Sequence, residues 1–301
     1  MAEPSGILLV HKHSGVTSHD IVGKVRRLFG TRRVGHTGTL DPMAEGLLVV
    51  LVGRAAKAAE YLSCDRKSYR ATLRLGLTTD TEDVTGTTLT TCASLPSAET
   101  VRATCDAFCG EIEQIPPMYS ALKVDGQKLC DLARRGVTVE RKARPVTIHR
   151  LDVTPTKSPA DYTLDVTCSA GTYIRTLCAD IGAHLGCGGV MATLIRTEAG
   201  GFSLSDALTI AELEALSEEE RTARLLPTET LFADLPVCPL PAFYERLFRS
   251  GCEIYQKKIG THYEIGARVR VTTADGAFFA IGEIREFADG TAIKSLKFFD
   301  L

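Results

Sequence analysis

The sequence predicts an α+β fold, because strand and helix patterns alternate over the first two-thirds of the chain and strand patterns alone follow. Short apolar runs and alternating segments indicate strands, whereas apolar residues that recur every three or four positions indicate helices. Prolines cluster just beyond residue 230 and mark a boundary between the mixed part of the sequence and the part with strand patterns alone. We therefore expect a larger α+β domain at 1–230 and a small β domain at 231–301.

The first elements are predicted to be a strand, a helix and a second strand. The apolar run 7–10 suits a strand, and Ser18 is expected to cap a helix that Gly30 ends. The apolar residues of this helix share one face: Ile21, Val22, Val25, Leu28 and Phe29. Four arginines lie near its end and just beyond it: Arg26, Arg27, Arg32 and Arg33. The continuous apolar run 47–52 fits a strand buried on both faces.

The middle of the chain alternates between strand and helix patterns. Segment 69–77 has apolar side chains at every second position, which points Tyr69 towards the apolar side. A helix is predicted at 97–108 and an alternating strand at 162–168. From Thr172 onward, a helical stripe of apolar residues runs until Gly186.

The C-terminal region is predicted to be a compact β unit. Pro236, Pro239 and Pro241 lie at its start. Segments 267–273, 277–284 and 291–299 have strand patterns, and two Ala-Asp-Gly sequences suited to tight turns join them.

Composition excludes several classes of protein. The 301 residues are 44% apolar and 24% charged, which is ordinary for a globular protein with a sizeable core. No apolar run approaches the ~20 residues that span a bilayer, so we expect no membrane association. The ten cysteines include no CxxC pair and no signal-like segment precedes them, so we expect reduced thiols and a cytoplasmic protein.

The net charge of −2 argues against binding of polyanions by the whole surface, but it hides a local basic region at 123–150. Eight basic residues there face three acidic ones, an excess of five positive charges. They are Lys123, Lys128, Arg134, Arg135, Arg141, Lys142, Arg144 and Arg150, against Asp125, Asp131 and Glu140. Such a region can bind RNA, although an ordinary solvated face has the same pattern.

The run GHTGTLDPMAEG at 35–46 holds one carboxylate, Asp41, in backbone too irregular for a helix or a strand. Pro42 restricts Asp41 to extended dihedrals, so the carboxylate lies at a rigid junction of the kind that often carries a site. Asp followed by Pro is also a common start of a helix. The residues alone leave both interpretations open.

This run closely resembles the catalytic-loop signature of the TruB family of tRNA pseudouridine-55 synthases. The resemblance covers most of the first 200 residues in the family's order, through GILLVHKHSGVTSHDIV, KSYRATLRLGLTTDTEDVTG, PPMYSALKVDG with ARRG and RPV, and GTYIRTLCADIG. It implies a catalytic domain with a mixed, largely antiparallel sheet and a small C-terminal β-barrel related to the PUA module. No dinucleotide-binding or P-loop pattern competes with it.

The family's reaction breaks the N-glycosidic bond of uridine 55 in the tRNA T-arm, turns the uracil and joins its C5 to the ribose. By resemblance, Asp41 is the nucleophile, and attack at C1′, attack at C6 and a glycal route all stay open. The carboxylate must be ionised within a pocket, and Arg175 is the candidate cation, although an exposed first-turn arginine is the plain alternative. No step needs a cofactor or a metal, so none is expected.

The resemblance assigns further residues around the flipped-out base. Tyr69 would stack on the base and could accept the proton from C5, and Tyr173 and Leu194 would pack around it; otherwise all three belong to the core. His36 would fill the place that the base leaves, which offsets the cost of flipping, or it is a loop histidine that bonds its own backbone. Lys57 matches a family lysine near the site, or it is a surface lysine.

The segment 116–145 resembles the family's RNA-gripping insertion, in which Arg134, Arg135, Arg141 and Lys142 would contact tRNA. Cys130 departs from the pattern, since a tyrosine is usual there. The acidic run around Asp80 and Asp83 has too few suitably spaced ligands for calcium and is interpreted as a supporting turn.

The expected partner is the T-arm of tRNA, with no obligatory protein partner and no guide RNA. A noncatalytic module that binds or folds RNA on the same scaffold is the alternative, and Asp41, Tyr69 and Arg175 argue against it. A guide-RNA-dependent relative is a third possibility. The insertion argues against that one, because it supplies grip on the substrate within this chain.

Overall fold

The computed structural model of the protein describes residues 3–61, 66–120, 122–124 and 126–300. Its helices are α1 Ser18–Leu28, α2 Ala98–Asp106, α3 Leu129–Arg134, α4 Ile174–His184, α5 Ile210–Ala215, α6 Glu218–Ala223, α7 Ala242–Arg249 and α8 Gln256–Ile259, with 3₁₀ helices at Gly53–Glu60, Leu204–Asp206 and Thr228–Phe232. Its strands are β1 Gly6–Lys12, β2 Val34–His36, β3 Glu45–Val52, β4 Arg66–Leu75, β5 Leu77–Thr79, β6 Thr88–Thr91, β7 Gly110–Gln114, β8 Lys123–Val124, β9 Gln127–Lys128, β10 Arg144–Pro155, β11 Asp161–Ser169, β12 Gly189–Ala199, β13 Phe202–Ser203, β14 Leu208–Thr209, β15 Val237–Leu240, β16 Ile254–Tyr255, β17 Arg268–Thr273, β18 Phe278–Phe287 and β19 Gly290–Phe298.

A large mixed sheet forms the first part of the molecule. Its strand order is β14-β1-β3-β12-β4-β11-β10-β7, with β2 added on β3 and β13 on β12. The β1–β14 and β3–β12 pairs are parallel and the other pairs are antiparallel. The α+β class with a mixed, largely antiparallel sheet is therefore confirmed.

The two central strand predictions are confirmed with one correction. Tyr69, Ala71, Leu73 and Leu75 are buried on the inner face of β4, as the alternation indicates. The strand ends at Leu75 because Gly76, with φ of +92°, turns the chain, so the prediction that it runs to residue 77 was wrong. Strand β3 is buried on both faces, where its alternate side chains enter two different core clusters.

Helix α1 begins with a different cap from the one expected. The Thr17 hydroxyl accepts a hydrogen bond from the backbone N–H of Asp20, and the Asp20 carboxylate accepts one from the N–H of Thr17. This is a capping box, in which each residue bonds the other's backbone. The assignment of Ser18 as the cap was wrong, and Ser18 is instead the first buried residue of the helix.

The other two predicted helices are present, slightly shorter than expected. Helix α2 has Ser97 as its N-cap, and the Ser97 hydroxyl accepts from the N–H of Thr100. Helix α4 starts at Ile174 rather than at 172, and Gly186 follows it with φ of +71°. Among the described residues, no helix has both the length and the apolar character needed to cross a bilayer.

The C-terminal part is a separate five-stranded sheet with the order β15-β17-β18-β19-β16. The three predicted strands correspond to β17, β18 and β19. The proline-rich boundary itself forms the edge strand β15, where Pro239 is tolerated because an edge strand needs only half of its hydrogen bonds.

The two sheets share one core cluster. In it, Ile7 and Leu9 of the large sheet pack with Phe232, Ile281 and Phe299. The small sheet is therefore seated on the large one through buried apolar side chains.

Candidate active site

A cavity of about 200 Å³ opens beside the two central strands β4 and β12 of the large sheet, between them, the Asp41 loop and the start of α4. Five of the side chains expected at the site line it: Asp41, Tyr69, Tyr173, Arg175 and Leu194. Thr39, Leu40, Lys67, Ser120, Gly171, Thr172 and Ile174 complete the lining. The roles assigned to the five residues stay predictions, but the structure brings all five together.

The cavity holds an ion pair between Asp41 and Arg175. Arg175 Nε lies 2.9 Å from Asp41 Oδ2, and Nη2 donates to Oδ1 at 3.4 Å. The Arg175 side chain is 5% exposed and that of Asp41 is 35% exposed. Arg175 also donates to the backbone oxygens of Thr81 at 3.1 Å and Tyr119 at 2.7 Å. The exposed-arginine alternative is therefore wrong.

The acidic turn around Asp80 and Asp83 lies next to Arg175 and supports it. Asp83 Oδ2 lies 4.0 Å from Arg175 Nε, and Asp83 is itself buried. Its other oxygen, Oδ1, accepts hydrogen bonds from the Thr81 hydroxyl at 2.8 Å and from the N–H of Thr85 at 2.9 Å. Asp80 accepts from the N–H of Thr87 and so closes the turn. The geometry agrees with the interpretation of this run as a supporting turn.

Glu82 fastens the same turn to the neighbouring elements. Its φ is +63°, and it is the one non-glycine residue with a positive φ among the described residues. Its carboxylate accepts from the Thr176 hydroxyl at 2.7 Å, and its carbonyl accepts from the N–H of Met191. Burial raises the pKa of Glu82. Both α4 and β12 are thereby tied to the turn that supports Arg175.

The Asp41 loop contains a β-turn and no helix. The N–H of Ala44 donates to the Asp41 carbonyl at 3.1 Å, with Pro42 in the second position of the turn, where a proline is favoured. The alternative that Asp41 caps a helix starting at Pro42 is therefore wrong. The turn holds Asp41 at the rim of the cavity.

Two side chains that the sequence did not assign to the site hold this loop. Ser18 Oγ accepts from the N–H of Leu40 at 2.8 Å and donates to the Leu40 carbonyl at 3.1 Å. Lys12 Nζ donates to the carbonyls of Ala44 at 2.5 Å and Pro42 at 3.3 Å. Lys12 is fully buried, and this burial lowers its pKa to about 8.

Arg196 is a third such residue, on β12 two positions after Leu194. It is 1% exposed and donates to the carbonyls of Gly38, Thr39 and Leu47. One signal was available in the sequence, since Arg196 shares one face of its strand with the apolar Leu194, two positions earlier. A charged residue there indicates a specific partner.

The aromatic residues of the cavity are held firmly. Tyr69 is 8% exposed, and burial raises its pKa, although the nearby Arg196 guanidinium acts in the opposite direction. Tyr173 precedes α4, and the amide of Gln114 bonds both of its backbone groups, accepting from N–H at 2.9 Å and donating to C=O at 3.2 Å.

Two expected substrate contacts lie outside the lining of this cavity. His36 ends β2, half-buried, and its Nδ1 has no hydrogen-bond partner among the described residues. Burial lowers its pKa, and the Arg196 charge adds to that effect. Lys57 lies on the 3₁₀ helix Gly53–Glu60 and donates to the Phe298 carbonyl at 3.3 Å, which places it against the C-terminal sheet. Their RNA-binding roles stay predictions.

Of the four residues in the basic insertion 116–145 that are expected to contact tRNA, three have exposed side chains. Arg134, Arg135 and Lys142 are exposed. Arg141 is half-buried and donates from Nη1 to the Pro116 carbonyl at 3.0 Å, so it ties the two ends of the insertion together. Asp125, counted in the basic region, lies outside the described residues.

Comparison with known proteins agrees with this arrangement. Residues 26–174 match the N-terminal domain of TruB family pseudouridylate synthases, and residues 175–233 match the tRNA pseudouridylate synthase B C-terminal domain. A tRNA pseudouridine synthase B from Alkaliphilus oremlandii is 44% identical over 269 residues, which cover 89% of each chain. Its counterpart from Burkholderia mallei is 42% identical over 283 residues, 93% of each chain.

Solved structures with the same fold include a Cbf5–Nop10–Gar1 complex, with a TM-score of 0.74 and 24% identity, covering 98% of this chain and 84% of the other. An H/ACA RNP bound to a substrate RNA has a TM-score of 0.73 and 22% identity, covering 98% and 85%. These two show the fold alone. The sequence matches, which extend over most of the chain, show that this protein belongs to the TruB family of pseudouridylate synthases.

Proposed function

We propose that the protein isomerises uridine 55 in the T-arm of tRNA to pseudouridine, with Asp41 as the nucleophile on a flipped-out base. The observation that carries this proposal is the ion pair between Asp41 and the buried Arg175 at the mouth of a cavity with aromatic and apolar walls. The names of the curated relatives support tRNA as the substrate.

The reaction needs an ionised carboxylate inside a pocket that excludes much of the water. A cation within ion-pair distance favours the charged form of a carboxylate. Arg175 is fixed by two backbone carbonyls as well as by Asp41, so its charge is already in place before a substrate arrives. Because Asp41 is the more exposed partner, a free face of its carboxylate can reach the nucleoside.

The walls of the cavity suit a uracil base. Tyr69 offers a ring for stacking, which is worth ~1–3 kcal/mol per base. Because burial raises its pKa, the phenol stays neutral in the free protein, which favours stacking as its first role. Acceptance of the C5 proton would require prior loss of its own proton, and the neighbouring Arg196 charge would assist that loss. Tyr173 and Leu194 would close the pocket around the base.

The proposal extends to the rest of the molecule. The protein is a stand-alone, cytoplasmic enzyme that needs no guide RNA, no protein partner and no cofactor. It divides near residue 230, and two observations support this division: the second family match ends at 233, and the five-stranded sheet starts at 237. His36 fills the place of the flipped base, and the 116–145 insertion grips the T-arm.

The test is incubation with an unmodified tRNA transcript without additives, followed by chemical mapping of pseudouridine. We expect product at position 55 with the wild type and none with Asp41→Asn, which removes the charge at nearly constant volume. Asp106→Asn, an exposed change at the end of α2, is the matched control. Product at another position would refute the U55 assignment, and product from Asp41→Asn would refute the nucleophile.

A further inference from the structure

The loop that carries Asp41 is held by side chains from three separate elements. Its carbonyl groups are bonded by Arg196 of β12, Ser18 of α1 and Lys12 of β1. Arg196 bonds the carbonyls of Gly38 and Thr39, Ser18 bonds that of Leu40, and Lys12 bonds those of Pro42 and Ala44. Arg196 thus holds the segment before Asp41 to the sheet, beside Ser18, which bonds Leu40.

Arg196 joins two separate parts of the chain around Asp41. Its Nη2 donates to the Gly38 carbonyl at 3.0 Å and its Nη1 to the Thr39 carbonyl at 3.4 Å. Its Nε donates to the Leu47 carbonyl at 2.7 Å, on the strand that leaves the loop. The planar guanidinium therefore fixes the segment before Asp41 relative to the strand after it.

Stability alone does not account for a charge at this position. In the described part of the chain, no Asp or Glu forms an ion pair with Arg196, which is 1% exposed. Burial of a cation opposes folding, and a well-packed apolar side chain is often as good or better in such a place. What the guanidinium provides instead is a set of directed hydrogen bonds to the loop.

The surroundings of Arg196 bring it close to the reacting groups. It lies directly opposite Tyr69 in the β12–β4 register and opposite Gly46 in the β12–β3 register. A Cβ on Gly46 would lie 2.3 Å from the Arg196 carbonyl, so only glycine lets the two strands approach this closely. A Cβ on Gly38 would lie 3.5 Å from Arg196 Nη1 and 3.3 Å from Lys67 Nζ.

We propose that Arg196 is a positioning residue for the reaction: it holds the entry to the Asp41 loop against β12, so that the carboxylate stays opposite Arg175 and beside Tyr69. The inference rests on the proposed role of Asp41 as nucleophile. It assigns to Arg196 no contact with the substrate, and it predicts a loss of reaction rate with tRNA affinity retained.

The test compares Arg196→Lys and Arg196→Gln with the wild type in single-turnover reactions at saturating tRNA, beside equilibrium binding. Lysine keeps the charge but cannot span three carbonyls, and glutamine keeps a planar donor without the charge or the reach. A displacement of about 1 Å at a reacting group costs roughly a hundredfold in rate, and we expect a loss of that order in both variants. The Kd for tRNA should stay within about twofold, because phosphate contacts elsewhere dominate affinity.

Val190→Ala on the same strand is the matched control, since it removes buried apolar volume without touching the loop. It should lower the melting temperature and leave the rate of the bound complex unchanged. Hydrogen exchange followed by mass spectrometry should show faster exchange of amides at 37–47 in the Arg196 variants and not in Val190→Ala. A wild-type rate in Arg196→Lys, or a loss no larger than that of Val190→Ala with unchanged exchange, would overturn the proposal.

If neither Arg196→Lys nor Arg196→Gln folds, Arg196→Met decides the question, because an unbranched apolar side chain can fill the buried position without a charge and without hydrogen bonds to the loop. A loss of about tenfold supports the proposal and a wild-type rate overturns it. Asp41→Asn is measured in parallel. Activity of Asp41→Asn would overturn the proposed function itself, whereas an inactive Asp41→Asn beside a fully active Arg196→Lys overturns only the role of Arg196.

Discussion

Arg175 and Asp41 form an ion pair in which the cation is buried and the carboxylate is about one-third exposed. Arg175 is held on its other sides by the carbonyls of Thr81 and Tyr119 and by the nearby Asp83. The guanidinium therefore has a fixed position, and Asp41 is the partner that is accessible from the cavity. The chemistry of this pair underlies the first prediction.

We expect Arg175→Ala to be nearly as inactive as Asp41→Asn, because Asp41 would lose the counter-charge that holds it in place and would turn away. Loss of one preorganised electrostatic partner typically costs ~10²–10³-fold in rate. Arg175→Lys should recover only part of the activity, since a point charge does not reproduce a planar fork that bonds two carbonyls and a carboxylate. Single-turnover rates at saturating tRNA measure both effects.

Arg74→Lys is the control for that comparison, because Arg74 also pairs with a carboxylate, that of Asp161, but at the exposed face of the sheet. It should retain the wild-type rate. Retention of the wild-type rate by Arg175→Ala would show that Asp41 does not depend on its partner.

The sequence predicted the site residues that belong to recognisable patterns, and it missed those that bond the backbone. Asp41, Tyr69, Tyr173 and Arg175 lie in motifs, and the structure brings them around one cavity. Arg196 lies outside these motifs, and its partners are the carbonyls of residues far away in the chain. Those contacts follow from the pairing of β12 with β3, which a single sequence does not specify.

The capping error at α1 has a similar cause. Thr17 and Ser18 are adjacent and both suit an N-cap by residue type. The choice is decided by Asp20, which completes a capping box with Thr17, and by Leu40, whose backbone N–H and C=O bond Ser18. Local propensity identified the start of the helix, and tertiary contacts decided which hydroxyl faces inward.

The second prediction concerns the exposed part of the basic insertion. The combined variant Arg134→Gln, Arg135→Gln and Lys142→Gln should weaken tRNA binding and flatten its salt dependence. Each phosphate contact contributes about 0.7–0.9 to the slope of log affinity against log salt, so the slope should fall by up to about 2–3. Chemistry in the bound complex should change less, since phosphate contacts position the RNA. Arg141 is left intact because it bonds Pro116 within the protein.

The control replaces three arginines outside the insertion, Arg70, Arg74 and Arg285, by glutamine; each lies 2.7–2.8 Å from a carboxylate, whereas Arg134 lies 3.5 Å from that of Asp131. Their charges are locally compensated, so the slope should hardly change. If the insertion variant has the wild-type slope, the insertion is an ordinary solvated face. The surface that binds tRNA would then lie near Arg27 and Arg32. The neighbouring Arg33 and Arg26 already bond groups within the protein, the Glu3 carboxylate and the Val34 carbonyl.

The third prediction concerns the contact between the two sheets. Phe299 is 7% exposed. The centroid of its ring lies 5.5 Å from that of Phe232 and 5.4 Å from that of Phe278. Phe299→Ala should lower the free energy of unfolding by about 3–5 kcal/mol, the usual cost of deleting a buried phenyl ring. Denaturant unfolding measures this cost. Phe243→Ala on α7, where the side chain is 58% exposed, should stay within about 0.5 kcal/mol of the wild type.

Equal losses in the two phenylalanine variants would mean that the shared cluster does not hold the sheets together. A loss confined to Phe299→Ala, in a single unfolding transition, would show that the C-terminal sheet and the catalytic part unfold as coupled units. Lys57 and Tyr61, which donate to the carbonyls of Phe298 and Leu296, add polar contacts at the same seam.

The last prediction uses Asp180, which lies half-buried on α4 near Glu82 and His184. Burial raises the pKa of Asp180 from its ordinary 3.8 to about 6; the Glu82 charge adds to this and that of His184 opposes it. Because the folded state binds this proton more tightly than the unfolded state, its stabilising contribution is complete below about pH 4 and is lost as the pH rises through 6.

Asparagine mimics the protonated carboxyl group at every pH. Asp180→Asn should therefore match the wild type in free energy of unfolding at pH 4 and exceed it at pH 7.5. One pKa unit corresponds to about 1.4 kcal/mol, and partial exposure reduces the effect, so we expect a gain of about 1–3 kcal/mol. Denaturant unfolding at pH 4, 5.5 and 7.5 measures it, with the exposed Asp106→Asn measured in parallel as the control. A difference that is constant across this range would mean that the Asp180 carboxyl titrates alike in the folded and unfolded chains, and that its burial at α4 does not cost the protein stability at neutral pH.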